Sequence, residues 1–101
     1  MIDAGEFQRM ETELQEKFGL TGEPVALLRG NISAYCKNNG LDGKNIVVGK
    51  GSVVVIGTCN SRPARVIYPI FARHVGDEIS GYGISLQPIE KQMHYKRQNS
   101  K

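Results

Sequence analysis

Cys59, His74 and Asp77 supply the residue types of a thiol nucleophile, a base and a carboxylate to orient it. Nothing in their spacing brings them together, so no catalytic residues are assigned and a non-enzymatic chain is favoured, with a thiol-dependent enzyme using Cys59 as the third reading. Cys36, Cys59, His74 and His94 contain no pair at zinc-ligand spacing, so neither a metal nor another cofactor is expected. The two cysteines lie outside any CxxC pattern and are expected as reduced thiols. Gly49-Lys50-Gly51-Ser52 invites comparison with a phosphate-binding loop. It departs from that pattern because Gly43 is one residue too far upstream, Gly follows Lys50, and a strand follows where a helix N-terminus is needed. A hairpin turn accounts for it. Gly81-Tyr82-Gly83 is read likewise as a bend at a strand start.

The cations carry the remaining signal. The net charge of +3 hides a split: residues 1–43 hold four Lys/Arg against seven Asp/Glu, and residues 44–101 hold nine against three. Such a split marks a polyanion-binding half, or two halves that attract each other within or between chains. Lys44 and Lys50 flank the first strand of a hairpin, Arg62 and Arg65 bracket Pro63, and Arg73 follows a later strand. Lys91, Lys96, Arg97 and Lys101 lie near the C-terminus, with Tyr95 among them. Loop and tail cations beside an occasional aromatic suit a phosphate backbone. The candidate nucleic-acid contacts are therefore Lys44, Lys50, Arg62, Arg65, Arg73, Lys96 and Arg97; the bland alternative is a basic surface that only confers solubility. No helix-turn-helix, zinc finger, RNP-type aromatic pair or GxxG clamp accompanies them, so DNA and RNA are not distinguished.

Two helices and a sheet must position these groups. Phe7, Met10, Leu14 and Phe18 share one helical stripe over residues 3–18, with Asp3 and Glu6 as an Asp-type capping box and Gly19 as the stop. The stripe suits core packing, with a partner-binding helix as the alternative. A second helix begins near Thr21-Gly22-Glu23-Pro24 and ends at Asn38-Asn39-Gly40, with Leu28, Ile32, Tyr35 and Cys36 at helical spacing. Gly30 costs ~1 kcal/mol in its interior. Either the helices approach closely there, or Pro24–Leu28 is a short strand; a continuous helix is favoured.

Leu41-Asp42-Gly43-Lys44 is turn chemistry. Four strands are expected, at 45–48, 52–58, 64–71 and 82–87, with Gly49-Lys50-Gly51 as a tight hairpin and Cys59–Pro63 as a longer loop. Pro69 cannot donate to a ladder and argues for an edge or a bulge. His74–Ser80 is a polar connection, and a basic, flexible tail is expected over 89–101, after one domain spanning 1–88.

The second strand decides the partner expectation. Val53 and Val55 point one way and Val54 and Ile56 the other, so both sheet faces want cover. Two short helices cover one face. A homodimer is expected on the other, with Val53, Val55 and Ile67 as candidate partner-binding residues.

The expected fold is thus α+β, two N-terminal helices on a three- to four-stranded, mostly antiparallel β-meander. No apolar run reaches the ~20 residues of a membrane span, and an acidic N-terminus is unlike a secretory signal. The cytoplasm is the default. The leading functional expectation is a small regulator that binds nucleic acid through basic loops and tail. The alternative is a protein-interaction module using an exposed sheet face or the first helix.

Overall fold

Two helices precede an antiparallel sheet, an α+β fold, in a computed structural model that describes residues 1–92. Lys96, Arg97 and the rest of the expected tail beyond Gln92 lie outside the described residues. Helix α1 (Ala4–Phe18) starts at Asp3, whose carboxylate accepts from the Glu6 N–H at 2.8 Å. It stops at Gly19, whose φ of 67° is the left-handed conformation that glycine adopts without strain. Phe7, Met10 and Leu14 are buried and Phe18 partly so. Phe7, Met10 and Leu14 of the stripe are therefore core.

Helix α2 (Glu23–Asn39) is continuous through Gly30. Gly22, not Thr21, takes the N-cap, with no side-chain cap and Pro24 in the first turn. A Cβ on Gly30 would meet nothing within 4 Å, so this glycine serves no helix approach. Val25, Leu28 and Ile32 face the core.

The sheet contains β1 (Leu41–Val48), β2 (Ser52–Cys59), β3 (Arg62–Val75), β4 (Glu78–Ile84) and β5 (Ile89–Gln92). Its order is β1-β2-β3-β4, with β5 also on β3. Gly40 ends α2 and leads directly into β1, so the expected turn at Leu41–Lys44 is instead strand. Pairing with Gly57, Thr58 and Cys59 overrides the local turn preference, and the register shift between Gly43 and Asn45 leaves Lys44 as the bulged residue. The loop at Cys59–Pro63 shrinks to a two-residue turn, because Asn60 and Ser61 both take positive φ (54° and 66°) and Cys59 pairs with Arg62. Likewise β3 and β4 run on through the expected polar connection to a hairpin at Gly76. Ile89–Gln92, assigned to the tail from sequence, pairs with Ala64–Ile67.

β3 is therefore central, not an edge. One side pairs with β2 along Arg62–Pro69; the other is taken by β5 at Ala64–Ile67 and then by β4 at Ile70–Val75. The Pro69 carbonyl accepts from the Ser85 N–H at 2.8 Å, which turns its missing donor toward the gap where β5 gives way to β4. A proline is tolerated there because no strand needs its hydrogen.

Both helices pack on one face, over Ile46, Val48, Val53, Val55, Ala64, Val66 and Tyr68. Tyr68 donates to Asn31 Oδ1 at 2.8 Å, Asn31 Nδ2 donates to the Leu86 carbonyl at 3.3 Å, and the Phe18 and Tyr82 rings meet edge-on at 5.1 Å. Burial raises the Tyr68 hydroxyl pKa. Tyr35, which donates to Glu90, is pushed up to about 12 by burial and then by that carboxylate. α1 also lies along the open edge of β1. The Glu6 carboxylate accepts from the Ile46 N–H at 2.7 Å, Arg9 donates to the Ile46 carbonyl, and Lys17 donates to the Val48 carbonyl at 2.8 Å. Backbone groups that would otherwise template another strand are thereby satisfied. Arg9 first and the Ile46 N–H second lower the Glu6 pKa.

Two predictions follow from these positions. Gly30→Ala is expected to raise stability by about 0.5–1 kcal/mol, whereas Gly57→Ala, whose Cβ would collide with the Asp42 carbonyl oxygen, is expected to lower it by about 1–3 kcal/mol; urea denaturation at pH 7 measures both. A carboxylate whose folded pKa lies below 4.5 contributes stability above that pH and loses it as pH falls through the folded value. Glu6→Gln should therefore be less stable than the parent at pH 7, with the difference closing toward pH 3 in paired urea titrations.

Candidate interaction surface

The face of the sheet turned away from the helices is built by the alternate residues. Cross-strand register lines up Val47, Val54, Ile67 and Ile89 in one row across β1, β2, β3 and β5. Asn45, Ile56, Arg65 and Lys91 form the next row. Val47 is 47% exposed and Ile89 50%, with Ile56 and Phe71 also exposed; Val54 and Ile67, at the centre, are half-buried. Further along β3, Phe71 lies opposite Gly83 and its ring occupies the space a side chain there would need. Arg73 stacks over that ring with its guanidinium carbon 5.7 Å from the centroid. The result is an aliphatic band that ends in one aromatic–cation pair.

This placement corrects the expected partner-binding set. Val53 (0% exposed) and Val55 (1%) lie under the helices and face the chain's own core. Ile67 does lie on the uncovered face. Val47, Val54, Ile56, Phe71 and Ile89 are the members missed from sequence. A signal for them existed: a two-residue turn at Asn60-Ser61 sets Arg65 beside Ile56 and Ile67 beside Val54, and an arginine in that phase marks the wet side. Reading the turn as a longer loop hid the register.

The basic residues do not converge on one site. Lys44 pairs with Asp42 at 2.8 Å, and this pairing, followed by the N-terminal ammonium, holds the Asp42 pKa down to about 2. Lys50 sits at the β1–β2 turn and Arg62 at the β2–β3 turn, at opposite ends of β2. Arg65, Lys91 and Arg73 share the uncovered face. Arg65 stands directly opposite Lys91, and its Nε, fully buried, has no acceptor among the described residues. All six ion pairs found among the described residues lie within residues 1–44. The acidic first half thus uses its charge locally and, among the described residues, pairs with the basic second half only through Lys44.

The thiol–imidazole–carboxylate set is not assembled. Cys59 pairs with Arg62 near the start of β3, and His74 lies near its other end, roughly 40 Å of strand away. Both cysteines are unpaired, and burial raises the Cys36 thiol pKa. No group of three His, Cys, Asp or Glu that could hold a metal occurs among the described residues. A cleft of about 590 Å³ lies between the start of α1, the end of α2 and the start of β1. Phe7, Ile32 and Leu41 in its wall belong to the core; Ser33, Cys36, Lys37 and Asp42 also line it, and Asp42 is engaged by Lys44 and the N-terminal ammonium.

No family model matches the chain, and neither a curated protein nor a solved structure matches it. The geometry itself carries the functional argument.

The two faces of β2 can be compared with one substitution. Val54→Thr preserves β-branching on the open face and is expected to change stability by no more than about 0.5 kcal/mol. Val55→Thr buries a hydroxyl among core side chains and should cost about 1–3 kcal/mol. Chemical denaturation of the two variants reads the difference.

Proposed function

We propose that this protein is a non-enzymatic interaction module that docks a protein partner on the helix-free face of its sheet. The observation that carries this reading is the unbroken apolar row Val47–Val54–Ile67–Ile89, presented by four strands with no element of the chain's described residues over it. A face of this kind suits the dry centre of an interface. The reading also draws on the edge of β1, which α1 occupies, so docking is by side chains on the face and not by strand addition along that edge.

Nucleic acid is the second reading. It is favoured by one observation, the exposed Phe71 ring with Arg73 stacked on it, the kind of pair on which a base can stack. The scatter of Lys50 and Arg62 and the engagement of Lys44 by Asp42 leave it with fewer contacts than the charge count promised. No helix among the described residues is long and apolar enough to cross a membrane. A regulatory role in the cytoplasm belongs to the same proposal, and the two unpaired thiols support that setting.

Val54→Thr combined with Ile67→Thr keeps strand propensity while removing the centre of the row. The complex purified from the native source is expected to keep its mass after nuclease treatment and to lose its partner in the double variant, with affinity weakened about tenfold or more. Collapse to the free chain on nuclease treatment, or an unchanged complex in the variant, defeats the reading.

A further inference from the structure

We infer that the partner presents carboxylates beside apolar side chains, as an acidic amphipathic protein segment does, and that Arg65 and Lys91 receive those carboxylates. The inference rests on the reading of the uncovered sheet face as a protein-docking surface and specifies its occupant.

Three observations converge on an anionic partner. Arg65 and Lys91 are directly opposite on adjacent strands, next to Ile67 and Ile89 in the apolar row. Like charges in that relation repel, and neither residue has an ion-pair partner among the described residues. Arg65 Nε is also buried without an acceptor among the described residues, and a guanidinium already stripped of water on one side gains most from a carboxylate arriving on the other. Finally, the face carries Arg65, Lys91 and Arg73 against two acids in its register rows: Asp42, which Lys44 and the N-terminal ammonium already engage, and Glu78, opposite Val75 at the far end of β3 from Arg65. Glu90 alternates to the helix side and accepts from Tyr35, Asp77 and Glu78 sit at the β3–β4 hairpin tip, and residues 93–101 contain no Asp or Glu.

The same charges argue against a second copy. A two-fold copy would offer these cations only the acids that the face itself carries, Asp42, already engaged, and Glu78 at the hairpin tip. A nucleic-acid backbone could neutralise the cations, but most of the face would offer it aliphatic side chains, with Phe71 as the one exposed aromatic among the described residues.

Synthetic leucine-striped helical peptides with Glu, Gln or Lys flanking the stripe serve as probes, with an oligothymidylate as the competing polyanion. The Glu peptide is expected to bind about tenfold more tightly than the Gln peptide. Arg65→Glu with Lys91→Glu should reverse the order, so that the Lys peptide binds best. Lys91→Glu alone, at an exposed position on a short strand, should shift the preference in the same direction, and far-UV circular dichroism checks both folds. Equal binding of Glu and Gln peptides, no peptide binding, indifference to both variants, preferential binding of oligothymidylate, or dimerisation that the variants abolish overturns the inference. If the nuclease-resistant complex still depends on Val54 and Ile67, only the partner's chemistry has failed. If that dependence is lost as well, the docking surface itself has failed.

Discussion

The contact of α1 with the edge of β1 determines which side of the sheet is covered. Glu6, Arg9 and Lys17 reach the backbone of Ile46 and Val48, anchoring the helix beside the first strand, while Phe7, Met10 and Leu14 turn into the core. Once α1 is fixed there, α2 completes the same layer. Two helices of this length can blanket one face of a five-stranded sheet and no more. The remaining face is open as a consequence of element count, and the β1 edge, one of those a partner strand might use, is occupied by α1.

β3 is the spine that lets so short a chain build so wide a sheet. Its length of 14 residues allows it to pair with β2 on one side and with two separate strands on the other. The hand-over at Pro69 is what makes this economical, since the residue without an N–H falls where no partner asks for one. The same hand-over places Phe71 and Arg73 on β4's side of the molecule and Arg65 on β5's side, both on one face. Charges that look clustered in sequence are thereby spread along an extended surface.

The charge asymmetry has a related explanation. Acids of the first half are consumed by neighbours in the helices and by Lys44, through contacts between residues at the surface that contribute little individually. Three cations of the second half, Arg65, Arg73 and Lys91, sit on strands where alternation sends them to the helix-free side. Attraction between the halves, one of the two meanings of the split, is realised among the described residues only by the pair of Lys44 with Asp42, two residues apart at the boundary. The other meaning, an external anion, gains weight.

Much of the architecture was legible in the residue pattern. The Asp3 cap, the Phe7–Met10–Leu14 stripe, the Gly19 and Gly40 stops and the tight turn at Gly49–Ser52 are all local, set by backbone sterics and helical or strand period. What local rules left open was phase. Val53–Val54–Val55–Ile56 alternates equally well either way, and its sequence holds no information about which pair the helices will claim. That choice depends on the Asn60-Ser61 turn, which sets the register with Arg65, and on α1 finding the β1 edge 37 residues away, as the bond from Arg9 to Ile46 records. Contacts between distant segments also made strand of Leu41–Lys44 and Ile89–Gln92, whose polar composition offers no strand signal, because pairing energy from a formed neighbour outweighs weak intrinsic preference. The chain by itself therefore determined its elements and its surplus of positive charge. Only the packed structure decided which valines would be hidden and which would face outward beside the arginines, since burial is a property of the layer above and not of the residue.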